Sequence, residues 1–182
     1  MNQSINPIKI YEGKLLHLVP HEPDNGYHFY VSDDGKIGLR IAPNGVETVV
    51  NATPTTTENS KNPYNAKRKQ RYLHFAGAWN TNEHILVSHA VYRAWVGPFN
   101  KPCIDHKNGV TTDNRWQNLE PVTYVENSRR TTILNGLRLV GINPAELSFS
   151  VLDKYLDPKN QGEPLDCGAE PNRDFDPFIE RD

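Results

Sequence analysis

Residues 103–127 read CIDHKNGVTTDNRWQNLEPVTYVEN. Residues 102–105 and 119–122 are short segments rich in apolar side chains, which predicts two strands. The polar residues 107–117 between them predict a loop, because Asn, Asp and Gly favour turns. A helix is expected after the second strand, so this part of the chain predicts a strand, loop, strand and helix unit.

The start of that helix carries its own signal. Thr123 is followed three residues later by Glu126, which is the pattern of a capping box that satisfies two backbone N–H groups. The helix is expected to run to about Leu134 and to hold Asn127 in its first or second turn.

Asp105 and His106 stand together at the end of the first predicted strand. A carboxylate is a hard oxygen ligand for a divalent cation, and an imidazole with a pKa of about 6.5 is mostly neutral near pH 7 and can act as a base. Adjacent strand residues point to opposite faces, so the strand is expected to break at this pair. The turn residues Asn108 and Gly109 favour such a break. The pair suits phosphodiester hydrolysis.

Three motifs in this unit resemble the HNH endonucleases, most closely the phage and intron-homing type. They are DHKNG at residues 105–109, DNRWQNLE at 113–120, and VT with EN within 122–127. A looser likeness includes residues 30–36 and 89–96, so roughly 27–134 are covered. The resemblance implies a ββα-metal fold and metal-dependent cleavage of nucleic acid.

Carried over by position, the resemblance implies that His106 is the general base and that Asp105 and Asn127 bind one Mg²⁺ or Mn²⁺ per active site. Asn118 falls on the central asparagine, which makes the chain an H-N-N variant. We expect Asn118 to hold the imidazole Nδ1–H and to leave Nε2 free for water. Capping of the loop–strand junction is an alternative role for Asn118. The implied products carry 5'-phosphate and 3'-hydroxyl ends.

Charge is distributed unevenly along the chain, whose formal net charge is -2. Residues 61–138 carry 12 - 5 = +7, whereas residues 139–182 carry 4 - 10 = -6. A polyanion such as duplex DNA would be attracted to the first region, and the acidic region either solubilises the protein or competes with DNA. Basic side chains expected to contact phosphates, with a solvated charged face as the alternative, are Lys67, Arg68, Lys69, Arg71, Arg115, Arg129 and Arg130.

The expected fold class is α+β, with N-terminal antiparallel β-hairpins before the ββα-metal unit. The dipeptides at 34–35 and 44–45 predict two consecutive hairpin turns. The domain is expected to span residues 1–138, with its ββα core at about 101–134. Residues 139–182 are expected to form an acidic C-terminal extension that is weakly ordered except for a helical pattern at 144–156.

The segment between the hairpins and the ββα unit predicts a long polar loop at 51–70, strands at 72–76 and 85–87, and a helix from His89 to Trp95 capped by Ser88. Several other residues are expected to be structural: packing roles are predicted for His89, Trp79, Trp95, Trp116 and Cys103, and an edge-strand position for Pro121.

Two cysteines are too few for a disulfide framework, and no segment has the pattern of a signal peptide or a membrane span. We therefore expect a protein of the bacterial or phage-infected cytoplasm. Two alternatives to a DNA endonuclease stay open: a DNA-binding module of the same fold without turnover, such as a phage regulator or packaging accessory, and a nuclease acting on RNA.

Overall fold

The computed structural model of the protein describes residues 6–20, 25–54, 72–80, 83–157 and 159. Its strands are β1 (Ile8–Tyr11), β2 (Lys14–Leu18), β3 (His28–Ser32), β4 (Gly38–Ile41), β5 (Glu47–Val50), β6 (Ala52–Pro54), β7 (Leu73–Ala76), β8 (His84–Leu86), β9 (Cys103–His106) and β10 (Leu119–Val122). Its α-helices are α1 (Val87–Trp95), α2 (Tyr124–Leu139) and α3 (Phe149–Leu156), with short 3-10 helices at Trp116–Asn118 and Pro144–Glu146. The fold is α+β, as the sequence predicts.

An antiparallel five-stranded sheet forms the N-terminal part, in the order β1-β2-β3-β4-β5. The two predicted hairpin turns are confirmed, and Gly35 and Gly45 adopt φ angles of 69° and 81° that favour glycine. The β1–β2 hairpin is an addition to the prediction. Its turn residues Glu12 and Gly13 have φ angles of 47° and 77°, typical of a tight two-residue turn.

The five-stranded sheet curls so that its two edge strands approach each other. Lys9 of β1 and Glu47 of β5 form an ion pair between these edges. On the concave side, Leu16, Tyr30 and Leu39 form a small buried cluster. The opposite side of the sheet is therefore free to pack against the rest of the molecule.

A second sheet, in the order β6-β7-β8, links the N-terminal sheet to α1. The expected loop at 51–70 is wrong for residues 52–54, because Ala52 pairs with Phe75 across β6 and β7. Residues 55–71 lie outside the described part. The cap prediction for Ser88 is also wrong: β8 runs directly into α1, so Leu86 takes the N-cap position and Ser88 is buried within the first turn.

The main core joins the N-terminal sheet, the second sheet, α1 and the β9–β10 ribbon. Its members include Phe29, Val31, Phe75, Val87, Val91, Ile104 and Leu119. Trp79 is buried as predicted, and the Trp95 indole N–H donates to the Val31 carbonyl at 3.0 Å. The core prediction is wrong for Trp116, which is 37% exposed because its short helix lies at the surface.

Residues after α2 turn back and pack against that helix. Leu134, Leu137, Leu152 and Leu156 form a separate buried cluster between α2 and α3. The helical pattern at 144–156 is confirmed, with a break between the 3-10 helix and α3. Helix α2 runs five residues beyond the predicted end at Leu134, because its last turns supply this cluster. Among the described residues, no helix has the length and apolarity needed to cross a bilayer.

Candidate active site

The strands β9 and β10 form an antiparallel ribbon that carries Asp105 and His106. Asp105 pairs with Glu120, and His106 pairs with Leu119. The expected strand break at Asp105 and His106 is wrong, because the ladder continues through His106. The turn follows it, with the Gly109 N–H donating to the His106 carbonyl at 2.7 Å.

The alternation of this strand separates the two site residues. Ile104 and His106 are buried on one face of β9, whereas Cys103 and Asp105 are half-buried on the other. Cys103 is thus less buried than predicted. Within the described residues β9 is the single neighbour of β10, so Pro121 occupies an edge strand as predicted.

His106 is buried, with 3% of its surface exposed, and its Nε2 lies 3.1 Å from the Asn114 amide oxygen. Because an amide oxygen only accepts, the imidazole donates from Nε2 and keeps a lone pair on Nδ1. The Asn114 amide nitrogen donates to the Thr112 carbonyl at 3.3 Å, which agrees with this orientation. Burial lowers the pKa of His106, against the opposing effects of Asn114 and Asp105. The ring is therefore a neutral base at pH 7.

The expectation that Asn118 holds the imidazole is wrong. Asn118 is fully buried, its amide nitrogen donates to the Asn108 side-chain oxygen at 3.0 Å and to the Asp113 carbonyl at 2.7 Å, and its amide oxygen accepts from the Asn108 N–H at 3.1 Å. These bonds use the amide to tie the two ends of the loop together. The alternative role at the loop–strand junction describes Asn118 better.

Asn114 is the residue that the sequence prediction missed. It lies in the same DNR motif as the predicted phosphate contact Arg115, and nothing in the spacing distinguishes it from Asn118. The loop that carries it is anchored on the N-terminal sheet, since the Trp116 N–H donates to the Asp33 carbonyl at 3.1 Å. A contact between residues so distant in sequence sets the position of Asn114.

Asp105 is the candidate oxygen ligand. Its side chain is 14% exposed, and Oδ2 lies 3.4 Å from Arg130 Nη1. Burial raises the pKa of Asp105, whereas Arg130 and then His106 oppose that rise. The His106 backbone N–H is a further hydrogen-bond partner of this carboxylate, which lies on the half-buried face of β9.

Helix α2 presents the second candidate ligand, Asn127. The predicted capping box is confirmed: the Thr123 hydroxyl accepts from the Glu126 N–H at 3.2 Å, and the Glu126 carboxylate accepts from the Thr123 N–H at 2.6 Å. The Thr123 backbone and Lys101 lower the pKa of Glu126 to about 2. Asn127 precedes Arg130 by three positions and shares its helix face. Since Arg130 contacts Asp105, this face is turned towards β9.

The donor chemistry fits a hard cation with few protein ligands. The described residues contain no cluster of three or more His, Cys, Asp or Glu side chains of the kind that holds zinc. One carboxylate and one amide oxygen, completed by water, match the coordination of Mg²⁺. Asp105 and Asn127 therefore suit this ion, and both ligand roles stay predictions.

The predicted DNA contacts fall into different environments. Lys67, Arg68, Lys69 and Arg71 lie outside the described residues. Arg115 is exposed but forms two hydrogen bonds of 2.8 and 2.7 Å to Asp113, and Arg129 is half-buried on α2. Arg130 does not fit the prediction of a phosphate contact, because it is buried against Asp105 and Glu120.

The strand, loop, strand and helix unit carries a buried histidine on one face of β9 and a half-buried carboxylate on the other. Residues 86–129 match the family model described as HNH endonuclease, which spans α1, β9, β10 and the first turns of α2. This segment, which is less than half of the chain, is similar to HNH endonucleases, and the similarity indicates nuclease activity in general. No curated protein and no solved structure gives a match.

Proposed function

We propose that the protein is a metal-dependent DNA endonuclease that hydrolyses phosphodiester bonds with water activated by His106. The observation that carries this proposal is the buried imidazole, fixed by Asn114 at 3.1 Å and adjacent in sequence to Asp105. The expected products carry 5'-phosphate and 3'-hydroxyl ends.

His106 acts as the general base through Nδ1, because Nε2 is engaged with Asn114. Water has a pKa near 15.7, roughly nine units above that of an ordinary imidazole, so the base alone is too weak to deprotonate it. Burial lowers the pKa of His106, so the ring is neutral at pH 7 and able to accept a proton.

Asp105 and Asn127 would hold one Mg²⁺ or Mn²⁺ per site. When bound, such a cation neutralises charge on the phosphate and on the departing 3' oxygen. Asp105 lies on the half-buried face of β9. Asn127 precedes Arg130, which contacts Asp105, by three positions on α2, and this spacing supports Asn127 as the second ligand. Asn114 orients the imidazole of His106, and Asn118 fixes the loop between β9 and β10.

Duplex DNA is the proposed substrate, in the cytoplasm of a bacterial or phage-infected cell. The supporting feature is the net charge of 12 - 5 = +7 on residues 61–138. Arg115 and Arg129, together with the basic cluster from Lys67 to Arg71, are the proposed phosphate contacts. A role in homing is one use of such an activity.

The test is cleavage of supercoiled plasmid with Mg²⁺, with and without EDTA. We expect nicked or linear product that EDTA abolishes. His106→Ala should reduce the rate by about 10²–10⁴-fold, the contribution of a general base, and should change DNA retention in a gel shift by less than about twofold. His84→Ala is the matched control, because His84 is an exposed histidine outside the site.

Other outcomes would overturn the proposal. DNA retention without any metal-dependent cleavage would identify a binding module. Faster cleavage of single-stranded RNA than of duplex or single-stranded DNA would identify an RNA nuclease. Equal losses of binding and cleavage in His106→Ala would contradict the role of the base.

A further inference from the structure

A buried guanidinium links the candidate metal ligand to a second carboxylate. Asp105 and Glu120 are direct cross-strand partners on β9 and β10. Arg130 reaches both from α2, with Nη1 at 3.4 Å from Asp105 Oδ2 and Nη2 at 2.8 Å from Glu120 Oε2. The Arg130 and Asp105 side chains are 11% and 14% exposed, whereas the Glu120 side chain is 40% exposed.

We propose that Arg130 is a positioning residue that keeps Glu120 out of the metal-ligand set, so that the site binds its cation through Asp105 and Asn127 alone. This inference rests on the proposed function. Arg130 neutralises the charge of Glu120. Its longer contact with Asp105 makes it only a weak competitor of the cation for that carboxylate. A cation held by Asp105 and Asn127 would then retain water, which the phosphate and the nucleophile could replace.

The unequal distances support this division of roles. The contact to Glu120 is a close ion pair of 2.8 Å, whereas the contact to Asp105 is a long hydrogen bond of 3.4 Å. Arg130 is therefore anchored mainly on Glu120 and leaves Asp105 able to coordinate. The ion pair also holds the Glu120 carboxylate, which is 40% exposed, close to α2.

Without Arg130, two neighbouring carboxylates would share a small volume. Side chains of directly opposed strand residues have Cβ atoms about 4.5–5.5 Å apart, which is close enough for Asp105 and Glu120 to bind one cation together. Such a site would bind the cation more tightly but would fill a position that substrate or water needs. Tighter metal binding combined with slower cleavage is the signature that separates this role from simple support of the fold.

The experiment titrates Mn²⁺ alone into the full-length protein and follows the free ion by electron paramagnetic resonance. Arg130→Met keeps the length of the side chain and removes the charge. We expect it to tighten Mn²⁺ binding by about tenfold, the scale on which residues around metal ligands alter affinity, while plasmid cleavage slows. The double variant Arg130→Met with Glu120→Gln should return to within about twofold of the wild-type affinity. Arg93→Met, at an exposed position on α1, is the matched control and should leave the affinity unchanged.

A second variant avoids the risk that loss of Arg130 prevents folding. Glu120→Gln lies at a partly exposed position and frees Arg130 to pair fully with Asp105, so Mn²⁺ binding should weaken by a few fold. Unchanged or tighter binding in Glu120→Gln, or unchanged or weaker binding in folded Arg130→Met, would overturn the inference. Wild-type protein that neither binds Mn²⁺ nor cleaves DNA would instead defeat the proposed function.

Discussion

The two sides of the ββα unit are held by different kinds of interaction. On the N-terminal side, the curled sheet, the second sheet and α1 share a large core. Within it the ring centroids of Phe29 and Phe75 lie 5.1 Å apart. On the C-terminal side, residues 133–156 contribute a smaller cluster built mainly of leucine. The first side fixes the position of the ribbon and anchors the loop between its strands at Asp33, and the second side also contacts this loop.

The C-terminal side contacts that loop through three groups. Lys107 Nζ lies 2.9 Å from Asp153 Oδ1, and the Arg115 guanidinium lies 5.2 Å from the centre of the Phe149 ring. A Cβ added at Gly109 would come within 2.7 Å of an Arg138 nitrogen and 3.0 Å of Leu134. Damage on the N-terminal side should therefore unfold the domain, whereas damage on the C-terminal side should first loosen the loop.

The largest effect is expected for Phe75→Ala, which empties the centre of the N-terminal core. Phe75 is fully buried, so the free energy of unfolding should fall by about 3–5 kcal/mol in urea titrations. Ile10→Ala, at a position that is 71% exposed, is the control and should change it by less than about 0.5 kcal/mol. A small loss for Phe75→Ala would mean that the core is not continuous.

Acid should distinguish the two sides, since all seven histidines lie at or before His106. Burial, followed by Arg93 and His106, lowers the pKa of His89 on α1 to about 4. Its neutral form is favoured in the folded state, so stability is complete above the unfolded pKa of about 6.5 and falls by about 1.4 kcal/mol per pH unit from there to about pH 4. The total from His89 is about 3 kcal/mol.

The check is to compare the pH dependence of unfolding in wild type and His89→Gln. The variant should have a flatter profile between pH 6.5 and 4, with the remaining slope due in part to His106, whose pKa burial also lowers. His28→Gln provides a comparison histidine on β3. Parallel profiles for wild type and His89→Gln would show that His89 does not titrate differently on folding.

Leu152→Ala tests the C-terminal cluster, in which Leu152 is fully buried. We expect a loss of about 2 kcal/mol, at the lower end for such truncations because the cluster is small. Hydrogen exchange should speed up in α3 and in the loop, while the amides of β3 keep their protection. Uniform acceleration in both sides would contradict their separate character.

The smallest effect on stability is expected for Asp153→Asn, because Asp153 is 53% exposed and such ion pairs contribute about 0–1 kcal/mol. If the pair with Lys107 holds the loop, plasmid cleavage should slow a few fold at low salt, with the difference shrinking at high salt. Asp157→Asn removes the same charge from the end of α3 and should cleave at the wild-type rate. Identical cleavage rates for the two variants would show that the ion pair of Asp153 with Lys107 does not support the loop.

Local signals in the sequence predict the elements of the ribbon well. The capping box at Thr123 and Glu126 involves only neighbouring residues, and it forms as expected. The β1–β2 hairpin also has a local signal, because apolar residues alternate on both sides of Glu12 and Gly13. The sequence prediction omits this hairpin, since Glu-Gly is a weaker turn signal than Asn-Gly or Asp-Gly.

The partners of the site residues depend on distant contacts and were harder to predict. Which of Asn114 and Asn118 meets His106 depends on a loop that is anchored on Asp33 in the N-terminal sheet. Arg130 has the sequence context of a solvated helix, and its burial follows from the carboxylates on a neighbouring ribbon. Spacing along the chain carries neither kind of information.

The hydrogen bond from Trp116 to the Asp33 carbonyl bears on protein engineering. A peptide limited to residues 86–129 would lack this anchor and would expose the apolar side of α1, including Val87 and Val91. A graft onto another scaffold would therefore need an acceptor in place of Asp33 and a new apolar surface for α1. Transferring the curled sheet together with the β9–β10 ribbon would keep both the acceptor and the apolar surface in place.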